Sequence, residues 1–534
     1  MRISLQILAI VMVLIITIVI FGSFGETTYV FLQSFLKDSI LAQEIEANLK
    51  HFFTFLFPRF ITDTFFVSML VLLLSGAIGV SLAYLVANYN FFLSKILEKI
   101  LFLPLAIPAY ILAFVYVGLM DFGGFFYTIF NFRVDFFNLY GVVFVLSISL
   151  FPYVYIFAKT SFQTESILLY EVAKTMKYSE WEIFYKISLI LSRPAILAGL
   201  LLILMETLSD YGASAYLGID TFSAGIFKLW YDLNDPYSSS VLTAILMSFV
   251  LLLMGLEQKI KNQKKYSFNH DCKTLIKRKT LSPIKSFFAF TYCFIIAFLG
   301  FLLPLCWLLY WGLQDPKLFE KNFYLLAWNS FYTAVLAAFF CVLCALLLCF
   351  VMRIGKTCFF STFIKQASSL GYAIPGAVIG VSMMIIASLL TYYSDIQLLG
   401  ISLSLLIFGY IIRFLASAIY SIQSGYDKIH HSIDEASLTL NKNDLVLWFK
   451  IHIPLLKHFI FAAFLIVFID TIKELPLTRM LSPFGFESLS TKAFWYATDE
   501  RLYEAALPSL LIVLLSLIGI VIVNFWTRKD DVRN

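Results

Sequence analysis

Acidic side chains inside apolar runs are the residues of this chain best placed to do chemistry. Glu206 and Asp210 in METLSD are matched 264 residues later by Asp470 and Glu474 in IDTIKE, and a lone Arg413 interrupts IIRFL. An ionised group in a membrane helix costs about 2.5–3.5 kcal/mol on insertion scales, so each needs a partner or a purpose. Residues four apart share one helix face, which sets each acid pair on a common stripe. Oxygen ligands of that kind suit a hard cation. Two readings stand side by side. Either the acids line a cation path, or Arg413 pairs with an acid to hold helices together while the others reach an outer interface. No metal site is assigned, because His430, His431, His452 and His458 all lie near one polar loop. No catalytic residue is assigned either, since the chain shows no nucleophile–base pair and no His-rich cluster. Gly355-Lys356-Thr357 resembles the end of a phosphate-binding loop, but the position that must be its first Gly is Phe350. ATP chemistry is therefore expected on a separate chain, with no cofactor held by this one.

The elements that position these groups are membrane helices. Of 534 residues 60% are hydrophobic and only 14% charged, against about 25% charged in soluble domains. A bilayer core needs about 20 apolar residues per helix. Runs of that kind fall near 5–21, 62–87, 100–120, 139–158, 194–216 and 238–256, then near 284–312, 325–352, 367–391, 400–421, 458–478 and 504–526. The expected class is an all-α polytopic membrane protein of about twelve transmembrane helices. Lys and Arg concentrate on alternate loops, which places both termini in the cytoplasm. Five of the seven cysteines lie in apolar runs, including Cys341-x-x-Cys344, where Cys acts as a small hydrophobe.

The two halves repeat. LPLAIPAYILAF around Pro108 parallels LGYAIPGAVIGV around Pro375, and EVAKTMKYSEWEIFYKISLI from Glu171 parallels EASLTLNKNDLVLWFKIHIP from Glu435. Near-constant offsets indicate a duplicated six-helix unit, with the repeats parallel because an even number of helices separates equivalent points. The expected modules are 1–256 and 284–534. Between them, 257–283 is a basic cytoplasmic linker; residues 257–285 hold nine Lys+Arg against two acids. Nucleic-acid binding is not expected, since no soluble fold accompanies these charges. Pro108 and Pro375 are read as lying within membrane helices, where a missing N–H can kink or gate. Gly376-x-x-x-Gly380 allows close helix packing.

Each polar string reads as a helix–turn–helix loop between the fourth and fifth helices of its half. Ser432 with Glu435, and Ser179 with Glu182, have capping-box spacing. The helix breaks are expected near Lys177 and Asn441, with Asn443 or Asp444 capping the next helix in the second copy. The short helices would present Trp181, Phe184, Leu445 and Trp448. Paired exposed aromatics fit a docking surface for a partner of twofold symmetry; amphipathic helices lying on lipid are the other reading.

Both strings resemble the EAA loop of binding-protein-dependent ABC importer permeases. The first supplies Glu171, Ala173, Trp181 and Phe184; the second supplies Glu435, Ala436, Trp448 and Pro454. The motif's Gly is Lys177 in one copy and Asn441 in the other, and its Pro is Ile190 in the first. The resemblance implies coupling loops over about 161–192 and 425–457, the type I ABC importer permease fold, and two ATPase subunits docked per fused chain. KELPLTRMLSPFGFESLSTKAFWYATDERLYEAALPSLLIV (473–513), SLFPYVY, ETLSDYG and YIIRFLASA resemble fused ferric-iron permeases. That implies ferric iron as cargo, a periplasmic ferric-iron-binding protein as partner, and the bacterial cell inner membrane as location. Thiamine or another small solute is the alternative cargo. A secondary transporter with six plus six helices is the rival architecture, and it would need no duplicated coupling loops.

Overall fold

Apolar runs in lipid leave the backbone no polar partner outside itself, and a helix satisfies every N–H and C=O internally. The computed structural model describes residues 2–533 except 36–39, 164–172, 174, 264–277, 315–320, 355–370, 372–373, 395–401 and 440–442. Among the described residues ten helices are long and apolar enough to cross a membrane, and Ile7–Ile20 and Gly376–Leu389 are two shorter apolar helices. Together they occupy the twelve expected runs. Among the described residues the only β structure is a two-residue parallel pairing of Tyr89–Asn90 with Lys279–Thr280.

The chain packs as two compact units, one of 55–224 with 248–314, the other of 1–54, 225–247 and 315–534. Sequence repeat and packing unit are thus different partitions. The first hydrophobic run of each sequence half packs in the unit built mainly from the other half. In the 55–224 unit, helices Phe57–Asn88, Leu139–Gln163 and Leu189–Ser209 pack together. A Cβ on Gly199 would sit 2.8 Å from the Val154 Cα, so two backbones touch there. In the other unit Lys321–Ile354, Ser402–Tyr426 and Ile453–Lys473 form the matching trio. Ala334, Ala337, Ala338, Cys341 and Ala345 are fully buried along the first of these, which is Cys341 acting as a small apolar residue. The trios repeat in detail. Helices of 25 residues (Leu139–Gln163, Ser402–Tyr426) and of 21 residues (Leu189–Ser209, Ile453–Lys473) recur in each. Thr64 Oγ1 accepts the Phe222 N–H at 2.9 Å, as Ser330 Oγ accepts the Leu489 N–H at 2.7 Å.

Among the described residues four of the expected runs are interrupted rather than continuous, one of them, 367–391, at Pro375 just before the helix Gly376–Ser394. Residues 100–120 form a 3-10 turn at Leu103–Ala106, an extended Ile107–Pro108, and then the helix Ala109–Met120. The run 194–216 breaks at Asp210 before a short helix Gly212–Tyr216. The run 458–478 breaks at Glu474 before Pro476–Leu481.

The helix Pro236–Gln263 continues past the expected linker start at 257. At the linker's far end, Arg278 and Lys159 both reach Glu98, at 2.9 and 2.7 Å, and Lys279 reaches Glu180 at 2.8 Å. Burial alone would push the Glu98 carboxyl up, but the two cations beside it hold it below the usual carboxylate range.

Candidate coupling loops and helix breaks

In the first loop the chain turns at Lys177, whose φ of 60° is the left-handed conformation usually left to glycine. The Tyr178 N–H returns to the Ala173 C=O at 3.1 Å, which is a Schellman stop with Ala173 buried beneath it. Lys177 therefore takes the place of the motif's Gly. Ser179 then starts the helix Glu180–Ile183 with a full capping box: its Oγ accepts the Glu182 N–H, and its own N–H donates to the Glu182 carboxylate at 2.9 Å. A π-helical turn, Phe184–Ser188, leads into Leu189–Ser209. Trp181 is 71% exposed and stacks on exposed Tyr185, while Phe184 is half-buried 4.5 Å from the Tyr84 ring. Glu171 lies outside the described residues.

The second loop copies this order 264 residues on. Helix Asp444–Leu447, π turn Trp448–His452 and helix Ile453–Lys473 follow one another as in the first copy. The π turn explains the tolerance for Ile190 opposite Pro454. In both copies the residue just before that position bonds five residues back, Leu189 to Phe184 and Ile453 to Trp448. The ladder is already shifted before the proline's missing N–H is reached.

Two expectations for this copy are corrected. Ser432 does not form a capping box with Glu435; its hydroxyl meets His430 Nδ1 at 2.9 Å, because the helix Ser432–Thr439 begins earlier, on the His431 carbonyl. Trp448 does not face outward; it stacks on Phe350 at 5.1 Å. The exposed aromatic is Phe449, equivalent to Tyr185. Asn443 takes the N-cap position, though its side chain makes no capping bond. Glu435 and Ala436 are exposed, and Asn441 lies outside the described residues.

One cluster was not anticipated from sequence. Asp434 sits between Arg353 (Nε–Oδ2 2.7 Å) and His452 (Nε2–Oδ1 2.9 Å). Arg353 also donates to the carbonyls of Tyr426 and Ile429. His452 is fully buried against the rings of Phe350 and Tyr426. The only sequence signal was a charged Asp-Glu pair opening the motif helix.

The acids fall at matching helix ends. Asp210 and Glu474 follow the last residues of their helices with nearly identical backbone angles, φ −68°, ψ 119° and φ −66°, ψ 120°. Each carboxylate satisfies N–H groups of the short helix beyond the break: Asp210 accepts from Ser214 N at 2.9 Å, Glu474 from Leu477 N at 3.2 Å. Glu206 and Asp470 lie half-buried one turn earlier. Arg413 pairs with Glu474 at 2.9 Å and donates to the Ile374 carbonyl at 3.1 Å. It thus ties the Glu474 break to the Pro375 break. Tyr410, one turn before Arg413, bonds Thr478 at 2.7 Å. The prolines are corrected too. Pro108 is the N-cap of Ala109–Met120, and Pro375 directly precedes Gly376–Ser394; their carbonyls accept the first helical bonds. Outside the helix interior a proline removes no intrahelical bond and imposes no internal kink. A Cβ on Gly376 would overlap the Glu474 carboxylate and lie 3.0 Å from Arg413 Nη1, and one on Gly380 would meet Met480 Sδ at 2.8 Å. Among the described residues no three His, Cys, Asp or Glu side chains form a metal-binding group.

Residues 75–264 match the family model "Binding-protein-dependent transport system inner membrane component". The chain is 26% identical over 478 residues to the Fe(3+)-transport system permease protein FbpB 2 of Haemophilus influenzae, covering 88% of this chain and 90% of that one. It is 24% identical to the ferric transport system permease protein FbpB of Actinobacillus pleuropneumoniae, over 77% of this chain and 63% of the relative. A shorter match, 30% over 146 residues, joins it to the molybdenum transport system permease protein ModB of Haemophilus influenzae, covering 27% of this chain and 64% of that one. The duplicated loops and all-helical membrane architecture agree with this similarity to binding-protein-dependent transport system inner membrane components, which the family model carries over residues 75–264 and the ferric permease of Haemophilus influenzae over nearly the full length of both chains.

Proposed function

We propose that this chain is the permease of an ATP-driven importer that brings ferric iron into the cytoplasm of a bacterium. The observation that carries the importer reading is the loop itself. A short helix and a π turn recur in each half, preceded in the first by a helix stop and a capping box, leaving an aromatic pair exposed in one copy and Phe449 in the other. Such rigid aromatic projections fit the docking of a partner protein. The iron assignment rests on the similarity to a ferric permease over nearly the full length of both chains. In this reading the loops and both termini are cytoplasmic, in the inner membrane. One ATPase subunit docks at each loop, ATP is held by those subunits, and a periplasmic binding protein delivers the cargo. Glu206 and Asp470 are the carboxylates proposed along the path, with Pro108 and Pro375 at its broken helices. Arg413, Asp210 and Glu474 hold the breaks in shape. A second reading, another small solute, is favoured by the molybdenum-permease match, which covers only 27% of the chain.

The docking part is tested by co-purification of the cognate ATPase with Trp181→Ala/Tyr185→Ala and Phe449→Ala chains. Loss of a central aromatic anchor costs about 2 kcal/mol or more, so retention should fall by about 30-fold. Full retention by all variants would remove the loops as the docking site.

A further inference from the structure

The two loops are alike outwardly but are braced differently. In the second, the helix bearing Glu435 and Ala436 is fastened to the membrane helices by one carboxylate. Asp434 takes Arg353 at 2.7 Å on one oxygen and His452 at 2.9 Å on the other. Arg353 stands at the end of Lys321–Ile354 and donates to Tyr426 and Ile429 carbonyls, closing the end of Ser402–Tyr426. His452 stands where the π turn becomes Ile453–Lys473. It is packed against Phe350 and Tyr426, and Phe350 in turn stacks on Trp448. Three membrane helices therefore meet the loop at one side chain.

Charge-assisted bonds at these distances are directional and resist shear better than apolar contacts do. The site is mostly withdrawn from water, with His452 fully buried and Arg353 only 9% exposed, which strengthens the electrostatics. By the 264-residue offset, Asp434 and His452 correspond to Tyr170 and Ser188, so the first copy cannot form a carboxylate–imidazole pair. Among the described residues of the first loop, Glu180 pairs with Lys279, and that pair is far more exposed and correspondingly weaker.

We propose that Asp434 is a positioning residue for transport: it couples the second docking loop rigidly to the Lys321–Ile354, Ser402–Tyr426 and Ile453–Lys473 helices, so that movement of a docked ATPase is delivered to them. This rests on the importer reading above. Asp434 acts through Arg353 and His452. In its absence the loop still binds the ATPase but slips against the helices, and hydrolysis runs on without transport.

The test uses the full chain with its ATPase and binding protein in proteoliposomes, reading iron moved per ATP hydrolysed together with ATPase co-purification. With Asp434→Asn, co-purification is expected to persist while iron per ATP falls about fivefold; Asp434→Glu, which keeps the charge, should restore most of it. A purely structural residue would lower assembly and leave the ratio of the assembled fraction intact, and that result overturns the proposal. If the Asn variant does not assemble, His452→Leu is read in the same way: it fills the apolar site but removes the N–H to Asp434. An unchanged ratio there overturns the proposal as well. Should the wild-type chain bind no ATPase at all, it is the importer reading that falls.

Discussion

Glu474→Gln is the substitution whose outcome the structure fixes most tightly. The carboxylate lies 2.9 Å from Arg413 Nε, with side-chain exposures of 7% and 14%. Removing one partner of a buried pair leaves an uncompensated charge and costs about 3–5 kcal/mol. Gln keeps a neutral acceptor for Arg413 and for the Leu477 N–H, so a cost at the low end, about 3 kcal/mol, is expected. Arg413→Gln should cost a similar amount, because it strands the carboxylate and releases the Ile374 carbonyl. The double variant has no stranded charge. Its loss should therefore fall short of the sum of the singles by about 2 kcal/mol, whereas independent sites add to within about 0.5 kcal/mol. The cycle can be run on purified protein in mixed detergent micelles by reversible denaturant unfolding. Additivity of the two singles would refute the assignment of Arg413 as the tie between the Pro375 and Glu474 breaks.

Gly376→Ala should cost about 1–3 kcal/mol in the same assay, since its methyl group would enter the Arg413–Glu474 pair; a neutral result would mean that the pair yields readily to an added methyl. Lys177→Gly should stabilise the first loop by about 1 kcal/mol by relieving a left-handed conformation, and Lys177→Val should do the reverse; protease resistance of the loop is the readout. Glu98 is held below its ordinary range by Lys159 and Arg278 once the burial that opposes them is outweighed. A depressed folded value means that its contribution is present above the unfolded value of about 4.3 and is lost as pH falls through the lower folded value. Glu98→Gln should flatten the decline in stability below about pH 4.3, and an unaltered acid profile would show that the linker anchor carries no charge-dependent stability.

Much of the architecture was legible because its signals are local. Apolar runs gave the helices, offsets gave the repeat, and Ser179 with Glu182 gave a capping box that formed as expected. The breaks were harder to see. A proline in an apolar run reads the same whether it kinks a helix or starts one, and only the extended backbone at Pro108 decides between them. The break expected near Lys177 is there, as a left-handed turn at Lys177 itself, while its non-glycine side chain gave no sign of that conformation. The Asp434 cluster was invisible for another reason: its partners lie 81 and 18 residues away along the chain, and no sequence period connects them. Trp448 was expected outside because aromatics on a polar string read as exposed, yet Phe350 from a distant helix covers it.

The central claim is tested most directly by transport with defined components. The chain is reconstituted with its ATPase in proteoliposomes, ferric iron is presented on the binding protein outside, and accumulation inside is measured with and without ATP. The account predicts iron accumulation that requires both ATP and the binding protein. Iron movement driven by an ion gradient without ATP, or ATP-driven movement of another solute while iron stays outside, would contradict it.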